Sequence, residues 1–349
     1  SKKRLKKSPT SPVLKGLYIL AVVVSAIIVL TYICFKAFIK PPPMVEVPSI
    51  ETQSASGLSQ NAQNTKVPSN SDALGNYERK PYCYTFLLVA SDQVGSNADT
   101  IMVLTYDTVE QTAGLVSIPR DTLVDHTFPK INAIYYNGVE ALRDEVSKML
   151  GIPIDYYICV DIDGFVKIVD TVGGIDFDVP IHMSYDDPLQ DLHIHFEPGM
   201  QHIDGKDALA ICRLRQNSDG TTAYPDSDIG RTRTQQQLLI AIAKKLIQNP
   251  QKALEYVEIW NQYVDTNLKT EYIVWFATSL LDFPLDKGIS FETLPGDGTV
   301  KYNNVKWCYE LYPDEVLDIV NRLLNPYTEP LTEENLDIFQ VKFLLQNAS

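Results

Sequence analysis

The sequence predicts an α/β fold in which a mixed central sheet has helices on both faces (an αβα sandwich), preceded by one transmembrane helix. Two observations predict this arrangement. Between residues 82 and 349, short β-rich apolar runs alternate with runs of helical periodicity, and such alternation is typical of a sheet covered by helices. Near the N terminus, 19 consecutive apolar or uncharged residues nearly span the hydrocarbon core of a bilayer.

The apolar run covers residues 17–35, with six basic residues before it and two more after it. Because the more positive flank stays in the cytoplasm, residues 1–16 are predicted to be a cytoplasmic basic tail and residues 17–39 a transmembrane helix, with the body exported. A cleaved signal peptide is the alternative. It is disfavoured because no small-x-small cleavage site follows and the run is long for a signal peptide.

The segment at residues 40–81 is predicted to be a flexible extracellular linker. Three prolines at 41–43 stop the preceding helix. Between residues 51 and 72, 13 of 22 residues are Ser, Thr, Asn or Gln, and none is aromatic. Such a composition is typical of a chain without a packed core. Residues 82–349 then form one large domain.

The charge of the chain is divided unevenly. Residues 1–40 contain eight of the 30 basic residues and none of the 44 acidic ones. The remainder therefore has 22 basic residues against 44 acidic ones, a net charge of −22. Such an acidic body excludes general binding of nucleic acid, for which a basic surface supplies most of the affinity.

Strands and helices are predicted from the period of the apolar residues and from the breakers that end each run. The predicted strands are 84–90, 100–106, 112–118, 156–160, 175–179 and 192–196. The predicted helices are 139–150, 164–172, a helix capped by Asp204 that runs to about residue 212, and 228–248.

Arginines are concentrated in one part of the domain: four of the eight that follow residue 40 lie within the 21 residues 213–233. Arginine is suited to bidentate recognition of phosphate. Arg213 and Arg215 are two residues apart, so they can share one side of an extended segment. Asp228, Arg231 and Gln235 are spaced to line one face at the start of a helix. A salt-bridged surface helix is the alternative.

Two further patterns favour an anion and cation site. Asp92 and Asp99 lie in a loop between predicted strands, where their carboxylates can bind a hard cation such as Mg²⁺, although Asp is also common in turns. Arg120 directly follows a strand and Pro119, so it can reach a site at the sheet edge. Lys130, just before a predicted helix, is a candidate phosphate contact or a surface lysine.

His193 and His195 alternate along a predicted strand and can face one side. A zinc site needs more ligands than this pair provides, so the sequence does not favour metal binding there. Motifs of P-loop nucleotide binding, of serine hydrolases and of zinc proteases are absent.

Several sequence blocks occur in a fixed order between about residues 84 and 246. They are Asp99-Thr100-Ile101, Ser117-Ile118-Pro119-Arg120-Asp121, Lys130-Ile131-Asn132-Ala133-Ile134-Tyr135, Val172-Gly173-Gly174-Ile175, Gly199-Met200-Gln201-His202-Ile203-Asp204-Gly205, Arg213-Leu214-Arg215, and Asp228-Ile229-Gly230-Arg231 with Gln235-Gln236. In these blocks the chain resembles the LytR-CpsA-Psr family. The basic tail and the single anchor are also similar to that family.

The resemblance implies a membrane-anchored phosphotransferase that faces the cell wall. Its members transfer an anionic glycopolymer, such as wall teichoic acid or capsule, from an undecaprenyl-pyrophosphate carrier to peptidoglycan. The implied partners are the carrier-linked glycopolymer, peptidoglycan and the membrane. An apolar groove between sheet and helices is implied for the polyprenyl tail.

The resemblance also implies a role for each matching residue. Asp92 and Asp99 would hold Mg²⁺, or Mn²⁺, against the pyrophosphate. Phosphate contacts would come from a set of cationic and amide side chains: Arg120, Arg213, Arg215, Arg231, Gln235 and Lys130. Asp228 would orient the arginines or accept a proton from the acceptor hydroxyl.

One position departs from the family pattern. Asn97 stands where the family usually has an arginine, and the loop before Asp99 is several residues short. One phosphate contact of the family is therefore expected to be missing, with the amide of Asn97 in its place. Asn97 and the short loop support one alternative, a non-catalytic module that binds polyprenyl pyrophosphate or regulates other enzymes. A hydrolase that uses water as the acceptor is a second alternative, because transfer and hydrolysis use the same site.

Overall fold

The computed structural model describes residues 40–45, 77–91, 97–188, 192–214, 216–221, 223–225, 228–249, 252–281, 283–285 and 287–341. The predicted transmembrane helix at residues 17–39 and most of the predicted linker lie outside these residues. Among the helices within the described ranges, none is both long enough and apolar enough to cross a membrane.

Strands and helices alternate along the described chain. The strands are β1 (Cys83–Ser91), β2 (Ala98–Asp107), β3 (Thr112–Ile118), β4 (Tyr156–Asp161), β5 (Ile175–Val179), β6 (Met183–Asp187), β7 (Leu192–Phe196), β8 (Gly199–Ile203), β9 (Val264–Thr266), β10 (Ile289–Thr293), β11 (Gly296–Tyr302) and β12 (Val305–Leu311). The α-helices are α1 (Val139–Leu150), α2 (Ile162–Thr171), α3 (Gly205–Arg213), α4 (Asp228–Gln248), α5 (Ala253–Tyr263), α6 (Thr270–Ser279) and α7 (Pro313–Ile319). A 3₁₀ helix covers Ile131–Asn137, and a π-helical turn covers Val320–Leu324.

The chain divides into two compact units. Residues 44–268 and 279–349 form the larger unit, and residues 1–43 with 269–278 form the smaller one. In the described part of the smaller unit, helix α6 carries Trp275 and Phe276, whose rings meet edge to face with centroids 5.1 Å apart.

A six-stranded sheet in the order β10-β3-β2-β1-β4-β9 forms the centre of the larger unit. β1 pairs antiparallel with β2 and parallel with β4, and β3 pairs antiparallel with β2 and parallel with β10. The sheet is therefore mixed, as predicted. Its β10 edge strand comes from the C-terminal part of the chain, for which no strand is predicted from the sequence.

Helices lie on both faces of this sheet, which confirms the predicted layers. Val116 and Ile118 of β3 point to one face, where they join α1 and α7 in one apolar core. Ser117 points to the other face, because side chains alternate along a strand. There Gln236 of α4 donates a hydrogen bond to the Ser117 hydroxyl at 3.1 Å.

A second apolar core lies among α2, α3, α4 and the short strands β5 to β8. These strands pair as two separate antiparallel sheets, β5 with β8 and β6 with β7. The strands predicted at 175–179 and 192–196 are confirmed, and they lie outside the central sheet.

Helix ends follow local capping chemistry. The Asp204 carboxylate accepts a hydrogen bond from the Asp207 backbone N–H at 2.9 Å, which confirms it as the N-cap of α3. Asp161 caps α2 in the same way through Gly164 N–H at 2.6 Å, so this helix begins two residues before the predicted start at 164. Helix α4 has the predicted bounds, 228–248.

Candidate functional site

The loop that follows β3 is held by backbone hydrogen bonds that bring Arg120 and Lys130 together. Thr122 N–H donates to the Pro119 carbonyl at 2.9 Å, which closes a turn around Arg120. Asn132 N–H donates to the Arg120 carbonyl at 3.2 Å, and Ile131 N–H to the Thr122 carbonyl at 2.8 Å. The two cations thus lie on adjacent backbone segments at the end of β3.

Strand β12 supports this loop from the other side. Leu123 N–H donates to the Tyr309 carbonyl and Tyr309 N–H donates to the Asp121 carbonyl, both at 2.8 Å. Because the backbone groups of the loop are paired in this way, the side chains of Arg120 and Lys130 extend from a well-defined main chain.

Charges of opposite sign alternate across the loop. Arg120 Nη1 lies 2.6 Å from Asp99 Oδ1, and Lys130 Nζ lies 3.1 Å from Asp121 Oδ1. Water reaches all four side chains, with 26% of Arg120 and 47% of Asp99 exposed. Exposed pairs of this kind contribute only about 0–1 kcal/mol to stability, so the cluster remains available to ligands.

A cleft of about 890 Å³ opens beside these charges. Its lining includes Asn97, Arg120 and Lys130, together with the rings of Phe128 and Tyr136. Phe128 is 71% exposed and Tyr136 is 75% exposed. The cleft therefore combines anion-binding groups with exposed aromatic surface, in a volume typical of ligand sites.

Helix α4 is tied to the end of α3 and to the sheet. Arg231, in its first turn, is only 8% exposed. Gln235 Nε2 donates to the Cys212 carbonyl at 3.1 Å, and Arg233 points to solvent instead. Desolvation raises the pKa of the Cys212 thiol to about 12, and the charge of Arg231 opposes this rise. Arg231 and Gln235 lie four residues apart within α4, so they share one face of this helix, as their spacing predicts.

Gln236 connects α4 to the strand that leads into the Arg120 loop. Its side-chain amide donates to Ser117 Oγ and to the Glu292 carbonyl, both at 3.1 Å. Ser117 precedes Arg120 by three residues, so the third turn of α4, which carries Gln236, contacts β3 just before the Arg120 loop.

Not every predicted site residue is placed by the structure. Asp92 and Arg215 lie outside the described residues, and Asp228 is described only as the first residue of α4. Arg213 is the exposed last residue of helix α3, and the backbone becomes extended at Leu214, which is 1% exposed. Since Arg215 lies outside the described residues, the sharing of one side of an extended segment by the two arginines stays a prediction.

Three residues of the cleft were not singled out from the sequence: Asp121, Phe128 and Tyr136. Asp121 follows Arg120 directly and pairs with Lys130. An acidic residue next to a predicted phosphate-binding arginine was the sequence signal that could have identified it. Phe128 and Tyr136 stand out only because their rings are exposed, and their exposure could not be predicted from the sequence.

Comparison with known proteins agrees with the fold and the motif order. A model of the LytR_cpsA_psr family matches residues 48–324. The chain is 32% identical over 205 residues to the polyisoprenyl-teichoic acid–peptidoglycan teichoic acid transferase TagV of Bacillus subtilis (strain 168), covering 55% of this chain and 51% of that one. It is 30% identical over 250 residues to the transferase TagU of Bacillus licheniformis, covering 69% and 76%. The chain thus spans about half the length of the TagV relative.

Solved structures share the fold. The crystal structure of B. subtilis TagV matches with a TM-score of 0.59 and 26% identity, covering 75% of this chain and 100% of that chain. A structure named TagT bound to LI-WTA matches with a TM-score of 0.56 and 22% identity, covering 70% and 91%. Since the family match covers far more than half of the chain, the chain belongs to the LytR-CpsA-Psr family.

Proposed function

We propose that the protein is a phosphotransferase that attaches an anionic glycopolymer, wall teichoic acid or a capsule-like polymer, to peptidoglycan. The donor is the polymer on an undecaprenyl-pyrophosphate carrier. The names of the TagU and TagV relatives, teichoic acid transferases, support this reading. The observation that carries it is the cleft lined by Arg120 and Lys130, with the exposed Asp99 carboxylate paired to Arg120.

Phosphoryl transfer depends on positioning and charge neutralisation more than on a reactive side chain. The backbone hydrogen bonds of their loop hold Arg120 and Lys130 at the cleft, where a phosphate would replace Asp99 and Asp121 as their partners. Arg231 and Gln235, with Arg213 and Arg215, are proposed to contact the remaining phosphate oxygens. Asn97 lines the same cleft and provides an uncharged amide where the family usually has an arginine.

In the proposed reaction, an acceptor hydroxyl of peptidoglycan attacks the phosphorus that carries the glycopolymer. The new phosphate ester bond forms while the bond to the lipid phosphate breaks, and undecaprenyl monophosphate leaves. Asp228 is proposed to take the hydroxyl proton. The aromatic rings of Phe128 and Tyr136 offer flat apolar faces to a sugar beside the reacting groups.

Asp99 suits a divalent cation. Its carboxylate is 47% exposed and supplies a hard oxygen ligand, and Mg²⁺ typically takes one or two carboxylates together with water and substrate phosphate oxygens. Asp99 and Asp92 would hold Mg²⁺, or Mn²⁺, which when bound neutralises charge on the pyrophosphate. Arg120 pairs with Asp99 at 2.6 Å, which supports a phosphate site shared by the guanidinium and the cation.

The cellular placement is part of the same proposal. Residues 17–39 would anchor the protein in the cell membrane as a single pass, with residues 1–16 in the cytoplasm. Residues 40–81 would link the anchor to a catalytic domain on the cell-wall face. The polyprenyl tail would lie in an apolar groove between sheet and helices.

The test uses the full chain in membrane nanodiscs, with a radiolabelled polyprenyl-pyrophosphate glycan and peptidoglycan oligomers. Label is expected to move to peptidoglycan with Mg²⁺ and to stay on the lipid with a chelator. Arg213→Ala is expected to remove transfer, whereas Arg143→Ala, on the exposed side of α1, serves as the matched control. Binding of the lipid without transfer would replace this proposal by the binding module, and release of free polymer without an acceptor would replace it by the hydrolase.

A further inference from the structure

The β6–β7 hairpin has one face in the core and one face in solvent. Met183 and Ile194 are both 0% exposed and belong to the second apolar core. Side chains alternate along each strand, so the neighbouring positions must point outward. In the antiparallel register Asp186 lies opposite His193, and Ser184 lies opposite His195. Burial of the apolar residues therefore places Asp186 and both histidines on one outer face.

Three potential ligand atoms converge on this face. His193 Nδ1 lies 2.6 Å and His195 Nε2 lies 3.1 Å from the same oxygen of Asp186, Oδ1. The ligand atoms of the three side chains all lie within 4.8 Å of one another. Each side chain is about half exposed, so ions reach the group from solvent.

We propose that Asp186, His193 and His195 form a binding site for Zn²⁺, separate from the Arg120 cleft. Zn²⁺ takes imidazole nitrogen and carboxylate oxygen at about 2.0–2.2 Å, which in a tetrahedral site puts ligand atoms roughly 3.3 Å apart. The observed distances of 2.6 and 3.1 Å require only a small outward shift of the side chains. Three protein ligands leave a fourth position for water.

The ligand set selects the kind of metal. Two imidazoles with one carboxylate suit Zn²⁺ and its late transition-metal neighbours, whereas Mg²⁺ prefers oxygen ligands alone.

A neighbouring loop holds the Asp186 strand in place. Asn217 Oδ1 accepts a hydrogen bond from Ser184 N–H at 3.0 Å, and Ser218 N–H donates to the Ser184 carbonyl at 2.8 Å. Ser218 Oγ also accepts from Asp186 N–H at 3.0 Å. β6 is thus hydrogen-bonded to β7 on one edge and to this loop on the other, so the site is largely organised before a metal binds.

Two other histidine–carboxylate pairs provide comparison sites with only two potential ligands each. His182 and Glu197 lie 3.1 Å apart beyond the other end of the same hairpin, and His202 and Asp176 lie 2.8 Å apart on β8 and β5. Each pair has one imidazole and one carboxylate, and no third ligand of the described residues joins them. They are expected to bind Zn²⁺ far more weakly, because three ligands are the usual minimum for a zinc site.

The test uses the untagged full chain in detergent, first dialysed against a chelator and then titrated with Zn²⁺ by calorimetry. One Zn²⁺ is expected to bind per chain, and Co²⁺ in its place is expected to give the visible absorption of tetrahedral coordination. His193→Ala and His195→Ala should each weaken binding by more than the 10–100-fold typical of an outer-shell change.

The matched controls are His182→Ala and His202→Ala, which should leave the affinity unchanged. His195→Gln retains a polar side chain, and equal unfolding midpoints of variant and parent without metal establish that its fold is intact. The proposal is overturned if Zn²⁺ binding survives in the His193→Ala/His195→Ala double variant, or if His182→Ala loses as much affinity as His195→Ala. Absence of saturable Zn²⁺ binding by the parent chain would overturn it as well.

Discussion

Two arginine–aspartate pairs in this protein share their chemistry and differ in their access to water. Arg79 pairs with Asp155 where the two side chains are 10% and 0% exposed. Arg120 pairs with Asp99 where they are 26% and 47% exposed. The first pair lies inside the fold and the second at the edge of the cleft.

The buried pair has most of its hydrogen-bonding capacity filled by the protein, and only Arg79 Nε of this pair is buried without a partner. Arg79 and Asp155 form two parallel bonds of 2.9 Å, and Asp155 also accepts from Thr85 N–H at 2.9 Å and from Val45 N–H at 2.7 Å. Arg79 donates further to the Cys83 carbonyl at 2.8 Å. The network joins the segment before the domain, the start of β1 and the residue before β4.

The exposed pair, Arg120 with Asp99, is in contact with water. Water can therefore solvate its remaining donors and acceptors at little cost in free energy. A buried arginine–carboxylate pair therefore contributes to the stability of the fold, whereas an exposed pair can exchange partners with a ligand. Four substitutions test this difference between buried and exposed contacts.

The largest expected effect on stability is that of Arg79→Ala. It leaves the Asp155 carboxylate buried without its counter-charge, which typically costs about 3–5 kcal/mol. Urea unfolding followed by tryptophan fluorescence would measure the loss. Arg79→Lys is the control that retains the charge without the bidentate geometry, and it should fall between parent and Arg79→Ala. A loss below about 1 kcal/mol for Arg79→Ala would contradict a structural role.

Arg120→Ala should strongly reduce transfer and hardly change stability, the opposite of what is expected for Arg79→Ala. If the proposed function is correct, transfer falls about 10²–10³-fold, as when one preorganised donor is removed from a transition state. The free energy of unfolding should change by no more than about 1 kcal/mol, because the pair is exposed. Transfer assays and urea unfolding on the same preparation measure both. Equal losses of stability in Arg120→Ala and Arg79→Ala would remove the distinction between the pairs.

Gln236→Leu tests a buried polar contact without a charge. It removes the donor to Ser117 Oγ and to the Glu292 carbonyl, and unsatisfied buried groups cost about 1–3 kcal/mol. Transfer should fall as well, because α4 loses its attachment to the strand before Arg120. Gln237→Leu is the matched control, since Gln237 is exposed one residue further along. The same loss in both variants would contradict the assigned contact.

Arg322→Ala should have the smallest effect. Its guanidinium lies 3.0 Å from Glu292 and 3.4 Å from Asp318, and its side chain is 48% exposed. Such pairs contribute about 0–1 kcal/mol and weaken with salt. Unfolding at low and high ionic strength would measure the difference. A loss comparable to that of Arg79→Ala would show that exposure does not set the strength of these pairs.

Much of the fold was predictable from the sequence because it depends on local signals. The apolar runs of β1 to β3 predict strands, and Asp204 predicts the start of α3 through a cap that involves only three neighbouring residues. Arg231 and Gln235 share one face of α4 because residues four apart in an α-helix lie about one turn apart. The end of α3 was predicted to within one residue, at about 212 against the observed Arg213.

The remaining features depend on contacts between distant parts of the chain. The C-terminal strand β10 joins β3 across more than 170 residues of sequence, and no local pattern specifies that partner. Asp186 becomes a neighbour of His193 and His195 only through the register of β6 with β7. A histidine pair that lacked a third ligand in the sequence therefore gains one in the fold.

Sequence patterns alone established the mixed α/β class, the family, most of the strands and helices as far as α4, and the cleft residues Arg120 and Lys130. The elements after residue 248 had no predicted counterpart. Period, capping and turn chemistry act over a few residues, so they can be read along the chain. Only the tertiary structure decided which charges are buried, as at Arg79 and Asp155, and which remain open, as at Arg120 and Asp99. Burial depends on packing between distant segments, and the energetic role of an ion pair changes with its access to water.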